Sequence, residues 1–152
     1  MVSPDQFFTK PLLEYYPANS GEWFAVGAAL LHGGDPQYPH FMVKMLSGVN
    51  GEDDKMTRGE LLCIIRIMER LLGAVKFIGH LITPVLVLSF MGHRQARVLQ
   101  AHYNGDELVI HKTQLFDFTK KKDNDALLLL SRWAASSAVG DTVSGNSKAF
   151  TR

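Results

Sequence analysis

The sequence predicts an α+β domain in which a long amphipathic helix leads into a three-stranded antiparallel meander. Two observations carry this prediction. Apolar residues recur at helical spacing between Thr57 and Gly79, and the apolar period then changes to two over residues 82–116. Glycine-containing turn signals at residues 92–93 and 104–105 divide this second segment into three strands.

Composition favours a single domain over residues 1–152. Hydrophobic residues make up 46% of the chain, and Lys+Arg 16 against Asp+Glu 15 gives a net charge of +1. A nucleic-acid-binding or membrane-surface protein usually carries a basic excess, so neither partner is expected. Cys63 has no cysteine to pair with, no secretory signal is visible, and the longest apolar stretch (81–91) is far shorter than the ~20 residues of a spanning helix. The expected location is cytoplasmic.

The long helix is the strongest element. Thr57 and Glu60 fit the S/T-x-x-E capping box, which marks the first turn. Gly79 is the expected end. The predicted apolar stripe consists of Leu61, Ile64, Ile65, Met68, Leu71, Leu72, Val75 and Ile78.

Helices are also predicted on either side of this core. Residues 21–32 follow a candidate N-cap and precede two glycines, and residues 39–47 begin with proline and end before glycine. A C-terminal helix is predicted from Asp125 to about Ser137. Residues 1–20 are expected to form an irregular N-terminal arm, and residues 140–152 a tail rich in Ser, Gly and Thr.

The three predicted strands cover residues 82–91, 94–103 and 107–116. If both turns are two-residue loops, Met91 faces Arg94 and Tyr103 faces Asp106. One face of the meander then packs on the long helix and carries Leu86, Leu88, Phe90, Leu99, Ala101, Leu108, Ile110 and Phe116.

The opposite face is mixed, half apolar and half hydrogen-bonding. In this register Ser89, Ala96 and Thr113 form a row of small residues, and such a row makes a shallow trough. Val98 and His111 lie at its edge, and Gln100 lies one row further along. Two interpretations stay open. Either the N-terminal helices fill the trough, or it is a mostly apolar ligand pocket with a few convergent polar groups.

Two further features of the meander need partners. Arg97 and Lys112 fall opposite each other, so an acid (Glu69 or Asp117), a bound anion or a shifted register is expected. The first strand is apolar on both faces, which is typical of a central strand. It should gain a neighbour along Leu86 to Phe90, either the C-terminal tail or the same strand of a second subunit. The second alternative predicts a homo-oligomer through these residues.

No cofactor or metal is expected. In the predicted register His102 and His111 lie about four rows apart, roughly 13 Å, too far to share one ion. The sequence contains no Gly-rich phosphate loop, no G-x-S-x-G and no C-x-x-C.

Part of the chain resembles uncharacterised small proteins of filamentous fungi. The resemblance rests on Pro-Val-Leu-Val-Leu-Ser-Phe-Met-Gly at residues 84–92 and Ala-Arg-Val-Leu-Gln-Ala at residues 96–101. It covers about the central third of the chain and implies no function, fold or site.

Two functions fit the sequence. The first is a small-molecule-binding protein that acts as a cofactor-free cyclase or isomerase of an apolar metabolite, because the sequence contains no motif for chemistry that needs a cofactor or metal. Gln100 and His111 would polarise the substrate, and His102 with Glu107 would be an acid–base pair. The pocket would be lined by Ser89, Ala96, Val98 and Thr113. The alternative is a non-catalytic protein–protein interaction module or homodimer.

Overall fold

A computed structural model describes residues 23–31, 38–119, 124–139 and 142–143. Six strands and two α-helices are present in these residues, together with a 3-10 helix at Val75–Phe77. In chain order the elements are β1 (Phe24–Leu30), β2 (Phe41–Ser47), α1 (Arg58–Leu72), β3 (Val85–Met91), β4 (Gln95–Tyr103), β5 (Leu108–Lys112), β6 (Phe116–Asp117) and α2 (Asn124–Ala134).

The strands form one mixed sheet in the order β1-β2-β3-β4-β5, with β6 paired to β4. Every pair is antiparallel except β2 and β3, which run parallel. Parallel neighbours require a crossover connection, and here α1 lies within it. The helix packs on one face of the sheet with Trp23, Phe41, Val87 and Leu99, whereas α2 covers part of the other face around Leu88 and Val98.

The predicted fold class was wrong in its N-terminal half. The described parts of 21–32 and 39–47 are not helices but the antiparallel hairpin of β1 and β2. Helix propensity of the Gly-Ala-Ala-Leu-Leu run is a weak preference, and pairing against a neighbouring strand overrides it. On β2 the buried residues Phe41, Val43 and Met45 show the period of two that indicates a strand. The predicted meander is therefore half of a larger mixed sheet.

The helix α1 begins where the capping box predicts. The backbone N–H of Glu60 donates to Thr57 Oγ1 (3.2 Å), and the Thr57 N–H donates to Glu60 Oε2 (2.8 Å). Its end at Leu72 lies before the predicted Gly79, and the 3-10 helix follows. The buried residues are Glu60, Cys63, Ile64, Ile67, Met68 and Leu71, so the predicted stripe was rotated away from the true one.

The first meander strand, β3, has a neighbour on each edge. It pairs with β2 and β4, so that Leu86 lies between Met42 and Gln100. The neighbour comes from the N-terminal half of the chain and not from the tail or a second subunit. Because both edges of β3 are occupied, residues Leu86 to Phe90 offer no free strand edge to a second subunit.

The turns between the meander strands are longer than predicted. Met91 pairs with Gln95, and Tyr103 pairs with Leu108. The first turn contains Arg94 at φ 61°, a conformation that lengthens the loop to three residues. A shift of one residue moves a strand's side chains to the opposite face.

As a consequence, Val85 and Val87 face α1, whereas Leu86, Leu88 and Phe90 face the α2 side. The second turn shifts the pairing of β4 and β5 by two residues, an even number. The residues of these two strands therefore keep their predicted faces, and Leu99, Ala101, Leu108 and Ile110 lie towards α1.

Candidate functional site

A cavity of about 230 Å³ lies on the α2 side of the sheet, where the first residues of β2 and β3 meet the end of β4. Its walls are largely apolar, with Leu31, Leu86 and Trp133 among them, and the chain after α2 (residues 136–139) closes one side. In the described part of the chain, three imidazoles and one amide line it, from His40, His102, His111 and Gln100, and the serines Ser136 and Ser137 are also lining residues.

Sheet pairing brings three of these polar residues together. Gln100 and His111 are directly opposite each other on β4 and β5, and His102 lies two residues beyond Gln100 on the same face. Gln100 is half-buried, His102 is buried and His111 is exposed. The amide therefore lies inside the cavity wall, while the His111 imidazole stands at its mouth.

The environment of His102 favours a neutral imidazole. Burial lowers the pKa of His102, and the charge of His111 lowers it further. Glu107 has the opposite effect, but its contribution is the smallest of the three and the pKa stays below its ordinary value. At neutral pH His102 can accept a proton from a bound molecule.

His40 is the fourth polar group, and sequence reasoning missed it. Its ring nitrogen Nε2 lies 3.1 Å from the carbonyl oxygen of Val139 and donates to it in the tautomer protonated there. Burial lowers the pKa of His40; the Val139 carbonyl opposes this, and the charge of His80 lowers the pKa further. Only the parallel pairing of β2 with β3 brings His40 to the site, and no local signal predicts that pairing.

The chain beyond Val139 is anchored again at Thr142. This residue is fully buried, its hydroxyl oxygen lies 2.6 Å from His80 Nδ1, and its carbonyl accepts from the N–H groups of Leu81 and Ile82 (2.8 and 3.1 Å). Part of the predicted tail is thus tied to the body of the protein. Because Val139 is one of the lining residues, these anchors also fix the wall of the cavity.

The structure divides the predicted site residues into two groups. Gln100, His102 and His111 share the cavity. Glu107 is an exposed loop residue that is not among the described lining residues, and it does not lie opposite His102, which pairs with Val109. The small-residue trough was wrong, because Ser89 pairs with Arg97 on the α1 face. The other three residues predicted to line the pocket lie outside the cavity: Ala96 and Val98 are buried in the cluster of Leu130, and Thr113 bonds to the backbone of Val98.

The corrected register also changes the geometry of the histidines. His102 pairs with Val109 and His111 with Gln100, so the two histidines are separated by two rows and not four. Among the described residues, no group of three or more His, Cys, Asp or Glu side chains could hold a metal ion.

A second polar cluster lies on the α1 face. The Arg97 guanidinium donates to both carboxylate oxygens of Glu60 (2.8 and 2.5 Å) and to the carbonyl of Glu52 (2.9 Å). Both side chains of the ion pair are fully buried. Two of the three predicted alternatives hold. The register is shifted, because Lys112 pairs with Leu99 and does not face Arg97, and an acid does pair with Arg97, but it is Glu60 and neither Glu69 nor Asp117. Lys112 donates to the carbonyl of Asp53.

Comparisons with protein-family models, with curated proteins and with solved structures found no match. In the described part of the chain, no helix is long and apolar enough to cross a bilayer.

Proposed function

We propose that this protein binds a small, mostly apolar metabolite in the cavity of His40, Gln100, His102 and His111, and that it isomerises or cyclises this molecule without a cofactor. The observation that supports the proposal is the convergence of a buried imidazole, an amide and an exposed imidazole on an apolar cavity. Small-molecule sites commonly combine apolar walls with a few placed polar groups.

The polar groups divide into distinct roles. His102, with its lowered pKa, removes a proton from the substrate. The Gln100 amide donates a hydrogen bond to a carbonyl oxygen on which negative charge develops. His111 stands at the mouth, where it exchanges protons with water. His40 holds the Val139 wall and acts as a positioning residue.

The size of the cavity limits the ligand. A volume of about 230 Å³ lies slightly below the usual range of drug-sized pockets, so it favours a molecule of roughly six to ten carbon atoms. The described residues of its walls include no carboxylate and no permanently charged cation. A neutral ketone or enone fits these properties better than a phosphorylated or ionic metabolite does.

Binding is tested with Trp133, which lines the cavity, whereas Trp23 is buried under α1. In a Trp23→Phe variant, Trp133 is the sole tryptophan and its fluorescence should change on titration with cyclic ketones and enones of roughly six to ten carbons. Native mass spectrometry of the gently purified protein provides an independent measurement. An unchanged spectrum with every probe, together with a native mass equal to the denatured mass, would contradict the proposal.

Catalysis is tested by proton exchange. Ketone probes that bind should exchange the hydrogen next to their carbonyl with deuterium from D₂O, followed by nuclear magnetic resonance. His102→Gln should lower the exchange rate by roughly 10²- to 10⁴-fold, the usual contribution of a general base. His93→Gln, which changes an exposed turn histidine outside the cavity, is the matched control and should have no effect. If the probes bind but their hydrogens do not exchange, the protein is a binding protein and the proposed isomerase activity is excluded.

One observation favours a second function, a protein–protein interaction module. On β1, an outer strand of the described sheet, the side chains of Phe24 and Val26 are 47% and 49% exposed, and Phe24 pairs with the exposed Leu46 of β2. A partner protein or a second copy could cover this apolar surface. Sedimentation velocity at several concentrations tests self-association: Phe24→Ser should abolish a dimer that uses this surface.

A further inference from the structure

A second cavity lies on the α2 side of the sheet, at the opposite end from His102. It has a volume of about 600 Å³ and is formed by the β3–β4 turn, the end of β2, and α2. Its apolar residues include Leu46, Phe90, Phe118 and Leu127. The site is a groove open to solvent, since Leu127 remains 49% exposed.

The polar side of this groove contains one charged residue, Arg94. Its side chain is exposed and makes no hydrogen bond or ion pair within the described residues. Among the described residues no acid lines the groove, and the carboxylate of Asp117 accepts from the backbone and hydroxyl of Thr119 (2.9 and 2.6 Å). Within these residues the guanidinium therefore has no competing carboxylate in the groove.

The backbone around Arg94 is held in place from two sides. Gly92 donates to the carbonyl of Ser47 (2.9 Å), and the N–H of His93 donates to the side chain of Asn50 (3.2 Å). The carbonyl of Arg94 accepts from Phe118 (2.8 Å). Arg94 itself has φ 61°, which is uncommon for a residue other than glycine. These backbone bonds therefore fix the position from which the Arg94 side chain extends.

We propose that this groove binds an aliphatic carboxylate of the fatty-acid type, with its chain along the apolar walls and its carboxylate on Arg94. A guanidinium recognises a carboxylate through two parallel hydrogen bonds, and this geometry suits a single-headed amphiphile. The amide of Gln95 and the hydroxyl of Ser47 line the same groove. This site is separate from the cavity of His102 and does not depend on the isomerase.

The test measures binding of decanoate and of 1-decanol to the full chain by isothermal titration calorimetry, below micelle-forming concentrations. Decanoate should bind at least tenfold more tightly than the alcohol. Shortening the chain to octanoate should weaken binding roughly fourfold per methylene removed. Raising the ionic strength should reduce the preference for the carboxylate, because the guanidinium is exposed.

Two pairs of variants separate the groove from the rest of the surface. Arg94→Gln should remove the preference for decanoate over decanol, whereas Arg132→Gln, a change in the last turn of α2, should leave it unchanged. Leu127→Ser should weaken both ligands, whereas Leu128→Ser should weaken neither, because the two leucines are equally exposed and only Leu127 lines the groove.

All four positions are exposed, so these variants are expected to fold, which circular dichroism checks. Equal affinity of the wild-type protein for decanoate and decanol would overturn the proposal, and so would an Arg94→Gln variant that keeps the preference. A dimer that Leu127→Ser dissociates, in a protein that does not bind decanoate, would assign the groove to a second copy of the chain. The decanoate measurements do not depend on whether His102→Gln loses ketone exchange, so the two proposals can fail independently.

Discussion

At the scale of single residues, Arg97 and Glu60 form an ion pair whose two side chains are both fully buried. Glu60 serves two functions with one carboxylate, because it closes the capping box of α1 and pairs with the guanidinium of β4. Burial raises the pKa of Glu60, but the bonds from Arg97 and Thr57 and the charge of Arg97 together lower it below the ordinary value. Ser89 contributes to this effect, although its buried hydroxyl falls short of a hydrogen bond in geometry.

Replacing Glu60 by Gln should destabilise the protein far more than replacing Thr57 by Ala. Glutamine still suits the capping box, but it leaves the Arg97 guanidinium as an uncompensated buried charge, at a cost of about 3–5 kcal/mol. Loss of the Thr57 cap costs only about 1 kcal/mol. Urea unfolding measures both. Similar losses for the two variants would show that the pair contributes little beyond the cap.

The same carboxylate predicts an acid-sensitive stability. Since the folded pKa of Glu60 is lowered, its contribution is complete above the unfolded pKa of about 4.5 and is lost as the pH falls through the folded value. Below about pH 4.5 the free energy of unfolding should decrease more steeply for the wild-type protein than for Glu60→Gln. Parallel curves would mean that Glu60 does not titrate in this range.

The thiol of Cys63 should be unreactive in the native protein. Burial raises its pKa to about 12, and the neighbouring charge of Glu60 contributes to this. A thiol-specific reagent applied near pH 8 should therefore modify Cys63 only through unfolding, at the rate of global opening, because the reactive species is the thiolate. In denaturant the single thiol of the chain should react at once. Rapid modification without denaturant would contradict the burial.

At the scale of elements, α1 offers two adjacent isoleucines with different environments. Ile64 is fully buried, whereas Ile65 is 43% exposed. Ile64→Ala should lower the free energy of unfolding by about 2–5 kcal/mol, whereas Ile65→Ala should cost clearly less, because less apolar surface is lost. Chemical denaturation of both variants checks this. Equal losses would mean that Ile65 is covered by part of the chain outside the described residues.

These elements also show what the sequence could predict. The capping box placed the start of α1 correctly, since Thr57 and Glu60 act locally. The apolar stripe was centred wrongly because the buried face includes a carboxylate, Glu60, that no hydrophobicity pattern assigns to the interior. β1 and β2 were missed because local propensity favoured helices, and because the pairing that places β2 inside the sheet is with the distant strand β3.

The candidate site was predicted in part for a related reason. Gln100, His102 and His111 were predicted on the same face of β4 and β5. The observed pairing of these strands differs from the predicted one by two residues, and an even shift leaves the side chains on their faces. The predicted trough was wrong because it required Ser89 to pair with Ala96. The turn that contains Arg94 is one residue longer than predicted, so Ser89 pairs with Arg97 and lies on the α1 face. The position of His40 in the cavity depends on the pairing of β2 with the distant strand β3, which a local sequence pattern does not predict.

At the scale of the whole molecule, the cavity joins distant parts of the chain. His40 and Val139 are linked by a hydrogen bond although 99 residues separate them, and His80 holds Thr142. These contacts connect the start of β2 to the chain that follows α2. Opening of this wall should therefore depend on the state of the His40 imidazole.

Acidification should loosen this closure. The folded pKa of His40 is lowered, so its stabilising contribution is present above the ordinary value of 6.5 and is lost as the pH falls below it. The free energy of unfolding should drop between about pH 7.5 and about pH 5, and less so in His40→Gln, which keeps a donor for Val139 without a titrating ring. His93→Gln should retain the wild-type slope. A wild-type slope in His40→Gln would assign the pH dependence to other groups.

The long-range link between His40 and Val139 also bears on how the protein is made. The ribosome synthesises β2 about a hundred codons before the wall that faces it. A nascent chain that has emerged as far as β5 contains five strands of the sheet, but its cavity still lacks the side formed by residues 136–139. During synthesis the sheet can therefore form before the cavity is closed.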